Sequence, residues 1–236
     1  MIYVVRYALI ALYTVFWASV VCVQALFGHK GEGAVRAARH WARWILWTSR
    51  VRVEVEGLEN IAPDRSYVVI SNHQSAFDIA AIGATLPLSW RFVAKRELTR
   101  IPFFGWGLVA AGHIVIDRAD NESSIRTLKE AAERVRSGTS VIVFPEGTRS
   151  RTGELGPFKS GGFHLALEAG VPVLPATVSG SRGIAPPRSL RVSPGRILVR
   201  YGKPVPTETL AIDDRERLKA EVRHAILAGF EPALQG

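Results

Sequence analysis

The stretch YVVISNHQSAFD, residues 67–78, joins a run of apolar residues to a polar segment that contains an imidazole and a carboxylate. The run from Tyr67 to Ile70 has the short, uninterrupted hydrophobicity of a strand that is buried on both faces. His73 and Asp78 follow at the point where this strand would end. In sheets with parallel strands, binding and catalytic groups collect at the carboxyl ends of the strands. The stretch therefore predicts a buried strand that carries His73 and Asp78 to one edge of a sheet.

Similar short apolar runs recur along the rest of the chain. They are RFVA (91–94), HIVI (113–116), SVIVF (140–144), VPVLPATV (171–178) and RILVRY (196–201). Valines alternate with charged residues from Val51 to Val55, which indicates a half-exposed edge strand. Helical periodicity is clearest at 122–137, and a C-terminal helix is expected at 213–229. This alternation predicts an α/β fold with a single mixed, largely parallel sheet flanked by helices.

The composition excludes several kinds of site. The 236 residues are enough for one sizeable α/β domain, and 30 Lys and Arg against 21 Asp and Glu give a net charge of +9. This excess favours anionic partners such as acidic lipids, phosphorylated small molecules or nucleic acid.

The one cysteine, Cys22, excludes disulfide frameworks, thiolate zinc sites and CxxC redox pairs. The histidines form no close ligand pair, so no metal is expected.

The first fifty residues have the character of a membrane-associated segment. Residues 7–27, YALIALYTVFWASVVCVQALF, carry no charge and reach the ~20 residues that a membrane-spanning helix needs. A buried core helix and a secretory signal peptide are the alternatives. In residues 33–50, GAVRAARHWARWILWTSR, basic residues share one helical face and most tryptophans the other, which is typical of an interfacial helix. A surface helix docked on its own domain is the competing interpretation.

The chain is therefore predicted to divide into an N-terminal membrane anchor, residues 1–50, and a domain that covers residues 51–236. Because basic residues follow the apolar run, the positive-inside rule places this domain in the cytoplasm, at the cytoplasmic (inner) membrane. The sequence leaves open whether the first helix crosses the bilayer or enters it and returns.

His73 and Asp78 could act as a general base and the acid that orients it. A neutral imidazole takes a proton from an alcohol more readily when a carboxylate fixes its tautomer and stabilises the imidazolium. The side chains could meet if His73 lies in a turn and Asp78 in the first turn of the next helix. The competing interpretation is that Asn72, Ser75 and Asp78 cap a helix and that His73 is only solvated.

A second polar segment, FPEGTRS at residues 144–150, follows another predicted strand. Its glycine turn exposes the backbone, and Thr148 and Arg149 offer a hydroxyl and a planar fork of donors suited to a phosphate. A glycine turn with a solvated arginine is the simpler alternative. It does not explain why charge and glycine are so dense here.

A third polar segment, AGHIVIDR at residues 111–118, places Arg118 just past the predicted HIVI strand. His113 in this segment is expected to face outward from its strand. Several catalytic signatures are absent from the sequence. Without a GxSxG elbow, a GxxxxGK[ST] loop or a GxGxxG turn, a serine hydrolase, a P-loop enzyme and a dinucleotide-binding enzyme are all disfavoured.

Five motif blocks occur in order over roughly residues 65–180. They are NHQSAFD (72–78), KREL with IPFFG (95–98 and 101–105), GHIVIDR (112–118), FPEGTRS (144–150), and PFKSGGF with VPVLP (157–163 and 171–175). With these blocks the chain resembles the HxxxxD family of 1-acylglycerol-3-phosphate acyltransferases, which are membrane-bound lysophosphatidic acid acyltransferases. The resemblance implies a glycerolipid acyltransferase-like fold, and it favours the catalytic interpretation of the HxxxxD pair.

The resemblance also implies a reaction and a role for each matching residue. His73 would deprotonate the sn-2 hydroxyl of lysophosphatidic acid, which attacks an acyl thioester directly to give phosphatidic acid, and Asp78 would orient His73. Cations would hold the glycerol phosphate, namely Lys95, Arg118 and Arg149, and the pocket around it would be shaped by Glu146, Gly147 and Thr148. The acyl donor would be acyl-CoA or acyl carrier protein, used as a substrate, with no cofactor, no metal and no nucleic acid.

Two other functions remain open from the sequence. The acceptor could be another lysolipid, such as a lyso-ornithine lipid, in which case the phosphate-binding cations would matter less. A non-enzymatic basic protein that binds membranes or nucleic acid would explain the net charge and the Arg/Trp helix. It would leave FPEGTRS unexplained.

Overall fold

A seven-stranded mixed sheet forms the centre of the molecule. The computed structural model describes residues 2–28, 31–117 and 121–235, and the side chains of all of these except 121–125 and 235. The strands are β1 (Val51–Glu56), β2 (Val68–Ser71), β3 (Trp90–Lys95), β4 (Ile114–Ile116), β5 (Ser140–Val143), β6 (Val173–Ser179) and β7 (Gly195–Tyr201). The helices are α1 (Ile2–Leu26), α2 (Glu32–Thr48), α3 (Phe77–Thr85), α4 (Phe104–Ala110), α5 (Asn121–Arg136), α6 (Gly161–Ala169), α7 (Ser181–Ile184) and α8 (Arg215–Gly229).

The strand order is β1-β7-β6-β2-β5-β3-β4, and every neighbouring pair is parallel except β6 with β7. The antiparallel pair gives the sheet its mixed character. The predicted α/β fold with a largely parallel sheet is confirmed, and β1 lies at the edge as its alternating pattern indicates.

The central strand β2 explains why the polar segments meet. Val68, Val69 and Ile70 have no solvent-exposed surface, as expected for a strand covered on both faces. β2 lies between β5 and β6, and both run parallel to it. The segments that leave β2 and β5 therefore emerge side by side at the same edge of the sheet.

Helices cover both faces of the sheet. Residues of α2 and α3 pack with one face in a hydrophobic cluster that includes Ile45 and Ile82. Residues of α5, α6 and α8 pack against the other face in a second cluster, around Val135, Leu165 and Val222. The helix predicted at 122–137 is thereby confirmed as α5.

The apolar helix α1 lies against the rest of the molecule along its length. Near its beginning, Arg6 Nη1 donates to the carbonyl of Val192 at 2.5 Å. Farther along, Trp41 Nε1 of α2 donates to Thr14 Oγ1 at 3.1 Å. A Cβ added to Gly107 of α4 would lie only 2.8 Å from the Cβ of Ala18. Both halves of α1 thus pack against the same folded domain.

An exposed apolar surface extends over three neighbouring helices. Within the described residues, α1 is the one helix long and apolar enough to cross a membrane, and very little of it is buried. The side chains that form this surface are Leu12, Val15 and Phe16 of α1, Trp44 and Trp47 of α2, and Trp106 and Val109 of α4. An exposed patch of this kind indicates contact with a membrane or another protein.

The helix α2 both docks on its own domain and keeps a basic, tryptophan-bearing side. Ala37 and Ile45 are buried, whereas Arg36, Arg43 and Trp47 are exposed. Arg39 of the predicted basic face has a structural role, because its guanidinium donates to two carbonyls just past the end of α3. The division into an anchor, residues 1–50, and a domain, residues 51–236, stays a prediction.

Candidate active site

Asp78 lies in the first turn of α3 and is completely buried. Its Oδ2 accepts three hydrogen bonds, from His73 Nδ1 at 2.8 Å and from the backbone N–H groups of Gln74 at 2.7 Å and Ser75 at 2.8 Å. Backbone N–H groups that converge on a carboxylate stabilise its negative charge and fix its position. The structure therefore brings His73 and Asp78 into direct hydrogen-bond contact.

The contact with Asp78 determines which nitrogen of His73 can act as a base. Because an ionised carboxylate accepts hydrogen bonds only, Nδ1 carries a proton and donates it toward Asp78. Nε2 is then left with a lone pair. The ring of Phe144 stacks on the imidazole with 4.1 Å between ring centroids. Phe144 thus supports the base from one side, a role that the sequence did not reveal.

Asn72 fixes the start of the same segment to the neighbouring strand. Its Nδ2 donates to the carbonyl of Val178 at 2.8 Å, and its Oδ1 accepts from the N–H of Val178 at 2.8 Å. The side chain thus continues the pairing of β2 with β6 beyond the last strand residue. Asn72 is a positioning residue for His73 and does not cap α3, contrary to the capping alternative.

The FPEGTRS segment holds the backbone of His73 from the other side. Glu146 is buried, and its Oε1 accepts from the N–H of His73 at 2.8 Å, while its Oε2 accepts from the N–H of Gly156 at 3.0 Å. The carbonyl of His73 accepts from the N–H of Ser150 at 2.8 Å. Both backbone groups of the base are thus bound by one loop.

Burial also affects the ionisation of Glu146. Loss of solvation raises the pKa of this carboxyl group above its ordinary value, although the hydrogen bonds from His73 and Gly156 act in the opposite direction. The sequence resemblance implies that Glu146 shapes the acceptor pocket. Its contacts in the structure are with the backbone that positions His73.

A large cavity opens beside the imidazole. Its volume is ≈ 470 Å³, and it extends from His73 between the sheet and the helices α1, α2 and α4. Its walls are mainly apolar, with residues such as Val21, Ile79, Phe92 and Leu108. A cavity of this size and composition is suited to a hydrocarbon chain, and the imidazole of His73 forms part of its wall.

Polar and cationic side chains line the same cavity near His73. Lys95 at the end of β3 and Thr148 and Arg149 in the FPEGTRS segment are all exposed. Neither Lys95 nor Arg149 forms an ion pair with any described residue, so both charges are available to an anion. Gly147 also lines the cavity, and its φ of 72° gives the turn a conformation that glycine adopts at little cost.

The structure thus gathers Lys95, Gly147, Thr148 and Arg149 around the His73–Asp78 pair. Arg118 lies outside the described residues, so its predicted role as a third cation stays a prediction. Asn72 and Ser150 were missed as positioning residues. Their signal in the sequence is that they are the first residue of the NHQSAFD block and the last residue of the FPEGTRS block.

Comparisons with known proteins place the chain in a family. A family model described as Acyltransferase matches residues 52–179. The chain is 40% identical over 181 residues to the 1-acyl-sn-glycerol-3-phosphate acyltransferase alpha of Ovis aries, which covers 76% of this chain and 63% of the sheep protein. The chain thus spans less than two thirds of the mammalian relative's length.

Two further relatives are covered more completely. The chain is 34% identical over 242 residues to the 1-acyl-sn-glycerol-3-phosphate acyltransferase of Saccharomyces cerevisiae, with 92% of this chain and 79% of the yeast protein covered. The crystal structure of the 1-acyl-sn-glycerophosphate (LPA) acyltransferase PlsC from Thermotoga maritima superposes with a TM-score of 0.80 and 28% identity. That match covers 96% of this chain and 94% of the Thermotoga chain.

Proposed function

Because this chain belongs to the acyltransferase family that includes the 1-acyl-sn-glycerol-3-phosphate acyltransferases, we propose that it acylates lysophosphatidic acid at its sn-2 hydroxyl and so forms phosphatidic acid. The observation that carries the proposal is the 2.8 Å contact between His73 Nδ1 and Asp78 Oδ2 at the head of the apolar cavity. The acyl donor is a thioester, of CoA or of acyl carrier protein, and the reaction needs no cofactor or metal.

The proposed reaction is a direct transfer without a covalent acyl-enzyme. The sn-2 hydroxyl loses its proton to His73 Nε2 as its oxygen forms a bond to the thioester carbonyl carbon. The C–S bond then breaks, and the leaving thiolate takes the proton back from the imidazolium. Asp78 stabilises the imidazolium between these two steps. General-base catalysis of this kind contributes ~10²–10⁴ in rate.

The phosphate of the acceptor would bind to the cations beside the base. Lys95 and Arg149 line the same cavity as His73, and each can form a charge-assisted hydrogen bond to a phosphate oxygen. Such bonds contribute ~1.5–3 kcal/mol each. We propose Arg118 as a third ligand of the phosphate. Arg118 follows Asp117 in the sequence, and Asp117 pairs with Arg96, which is the sequence neighbour of Lys95.

The exposed apolar surface would place the active site at a lipid bilayer. Trp44, Trp47 and Trp106 suit the depth of lipid headgroups, and the aliphatic side chains of α1 suit the hydrocarbon below. Both halves of α1 pack against the same folded domain. The two ends of α1 could therefore lie on opposite sides of the bilayer only if that domain also crossed it. We therefore propose that α1 enters the membrane without crossing it.

The exposed arginines of α2, Arg36 and Arg43, favour the anionic cytoplasmic leaflet. The domain would then face the cytoplasm, where thioester donors are made. An apolar surface at the membrane would also let the lysolipid enter the cavity and the product leave it without passing through water.

The direct test is an acyl-transfer assay with purified protein in vesicles, with palmitoyl-CoA and palmitoyl carrier protein as donors and lysophosphatidic acid as acceptor. Wild-type protein should form phosphatidic acid, and His73→Ala should abolish its formation while the protein stays folded. His224, which is exposed on α8, supplies the matched control His224→Ala, which should keep full activity. A folded His73→Ala variant with substantial activity would refute the mechanism.

A second acceptor, a lyso-ornithine lipid, is separated from the first by the cations at the site. If lysophosphatidic acid is the substrate, replacing Lys95 or Arg149 should weaken its acylation far more than that of a phosphate-free acceptor. Equal effects on both acceptors would favour the lyso-ornithine lipid. Steep salt-dependent binding of nucleic acid without any acyl transfer would instead favour the non-enzymatic alternative.

A further inference from the structure

His113 is enclosed in the wall of the apolar cavity, which corrects the expectation that it faces outward from its strand. Its Nδ1 accepts a hydrogen bond of 3.0 Å from the backbone N–H of Phe92. Burial lowers the pKa of this imidazole to about 3, so the ring is neutral at physiological pH. His113 is thus an uncharged polar group inside a cavity that otherwise suits a hydrocarbon chain.

The contact with Phe92 determines what the other ring nitrogen can do. Because Nδ1 accepts a hydrogen bond and the ring is neutral, the proton is on Nε2, which is a donor. Nε2 lies on the opposite side of the ring from Nδ1 and so points away from the backbone of β3. Part of the ring is accessible although protein encloses it, and this accessible part faces the cavity.

A second donor beside His113 has no hydrogen-bond partner among the described residues. The ring of Trp90 stacks on the imidazole with centroids 6.1 Å apart, and the indole N–H of Trp90 is buried without a hydrogen-bond partner. By contrast, Thr14 in the same cavity is satisfied, because it accepts from Trp41 and donates to the carbonyl of Ile10. Donors without partners in an apolar site favour a ligand that brings an oxygen to them.

The position of His113 determines where on the ligand that oxygen must be. Starting from His73, the ring of Phe144 is 4.1 Å away, Phe92 lies 6.0 Å beyond Phe144, and His113 lies 6.0 Å from Phe92. Two phenylalanine rings thus separate the imidazoles. An acyl chain whose carbonyl carbon lies at His73 and which follows these rings would reach His113 with its middle part.

We propose that the cavity accepts acyl chains that carry an oxygen function, above all a hydroxyl, in their middle part, and that His113 Nε2 donates a hydrogen bond to this oxygen. The inference rests on the proposed acyl transfer and names a substrate class for it. The oxygenated chain can belong to the thioester donor or to the lysolipid acceptor, since either could occupy the cavity.

Two assay arms separate these sources. In the first, 12-hydroxystearoyl and stearoyl thioesters compete for the same palmitoyl lysophosphatidic acid. In the second, a stearoyl thioester is offered lysophosphatidic acid that carries either chain. Wild-type protein should favour the hydroxylated chain about two- to tenfold in kcat/KM in one of the arms, the range expected for one hydrogen bond. A 3-hydroxystearoyl chain should show no such preference.

Two variants show whether His113 is responsible. His113→Asn keeps an acceptor near the Nδ1 position for Phe92 N–H but leaves no donor at the Nε2 position, which the shorter side chain does not reach, so it should abolish the preference. His113→Gln places an amide N–H near the Nε2 position, so it should retain part of the preference even though Phe92 loses its partner. A purely structural role would give the opposite order, because Gln would then be the more damaging change.

The outcomes are distinguishable from failure of the proposed function, which would show as no transfer of plain stearoyl chains at all. With plain transfer present, equal use of the hydroxylated and plain chains in both arms would overturn the inference. So would a preference that His113→Asn leaves unchanged. A preference for oleoyl over stearoyl that His113→Asn removes, without any preference for the hydroxyl, would also overturn it.

Discussion

Replacing Asp78 by asparagine should separate the catalytic role of this carboxylate from its structural role. In the structure, Asp78 Oδ2 accepts from His73 Nδ1 and from the N–H groups of Gln74 and Ser75, whereas Oδ1 is buried without a partner. The oxygen of an asparagine can keep these three contacts. Its amide nitrogen would occupy the Oδ1 position, where it has no acceptor. Asp78→Asn therefore preserves the geometry and removes the charge.

The expected magnitudes follow from these contacts. Without the carboxylate, the imidazolium that forms in the transition state has no counter-charge, so most of the general-base contribution of ~10²–10⁴ should be lost from kcat. This corresponds to about 3–5 kcal/mol in activation free energy. The unpaired amide donor should lower the free energy of unfolding by only ~1–3 kcal/mol. Activity should therefore fall far more than stability.

The measurement is kcat for phosphatidic acid formation at saturating lysophosphatidic acid and palmitoyl thioester, together with urea denaturation of the same preparation. Asp213→Asn is a matched control, because Asp213 is exposed on the surface and should tolerate the same change. A folded Asp78→Asn variant that keeps most of the wild-type kcat would refute the role of the carboxylate in stabilising the imidazolium.

Three further predictions follow from the cations, the membrane surface and the buried imidazole. In steady-state assays, Lys95→Met and Arg149→Met should each raise KM for lysophosphatidic acid roughly tenfold or more, because each loses a charge-assisted bond. Arg149→Lys should have an intermediate effect. Unchanged KM values would contradict phosphate binding by these residues. Trp47→Glu and Trp106→Glu should weaken sedimentation with anionic vesicles while Trp47→Phe should not, and equal binding by all three would exclude this surface from the membrane. Because burial lowers the pKa of His113 from 6.5 to about 3, the unfolded chain binds a proton that the folded chain does not. The contribution of His113 to the free energy of unfolding should therefore be fully present above pH 6.5. It should be lost as the pH drops toward about 3, by up to about 1.4 kcal/mol per pH unit. Denaturant titration should show a steeper decline in the wild type than in His113→Asn.

The fold was accessible from the sequence because its strands are short apolar runs with clear ends. The run at Tyr67–Ser71 corresponds to β2, and the periodicity at 122–137 corresponds to α5. The strand order was not accessible, because no local pattern indicates that β2 pairs with β5 and β6. Such pairings join residues that are distant in the chain, and only the packed structure shows them.

The candidate site divides in the same way. The contact between His73 and Asp78 was predictable because the two residues are close in sequence and chemically complementary. The contacts of Glu146 and Asn72 were not, since each binds a backbone group whose partner lies far away in the chain. His113 was misplaced because the alternation of a strand does not reveal that a ring just before the strand can turn inward to accept from Phe92.

The strand order also has a consequence for folding during synthesis. α1 precedes every strand of the described sheet in the chain, and β1 must wait for β7, the last of the described strands, before it finds its neighbour in the sheet. The loop that carries His73 is likewise completed only when β6 has been made. The nascent chain therefore exposes its apolar helix long before the strands around His73 can assemble, so contact with a membrane can precede formation of the candidate site.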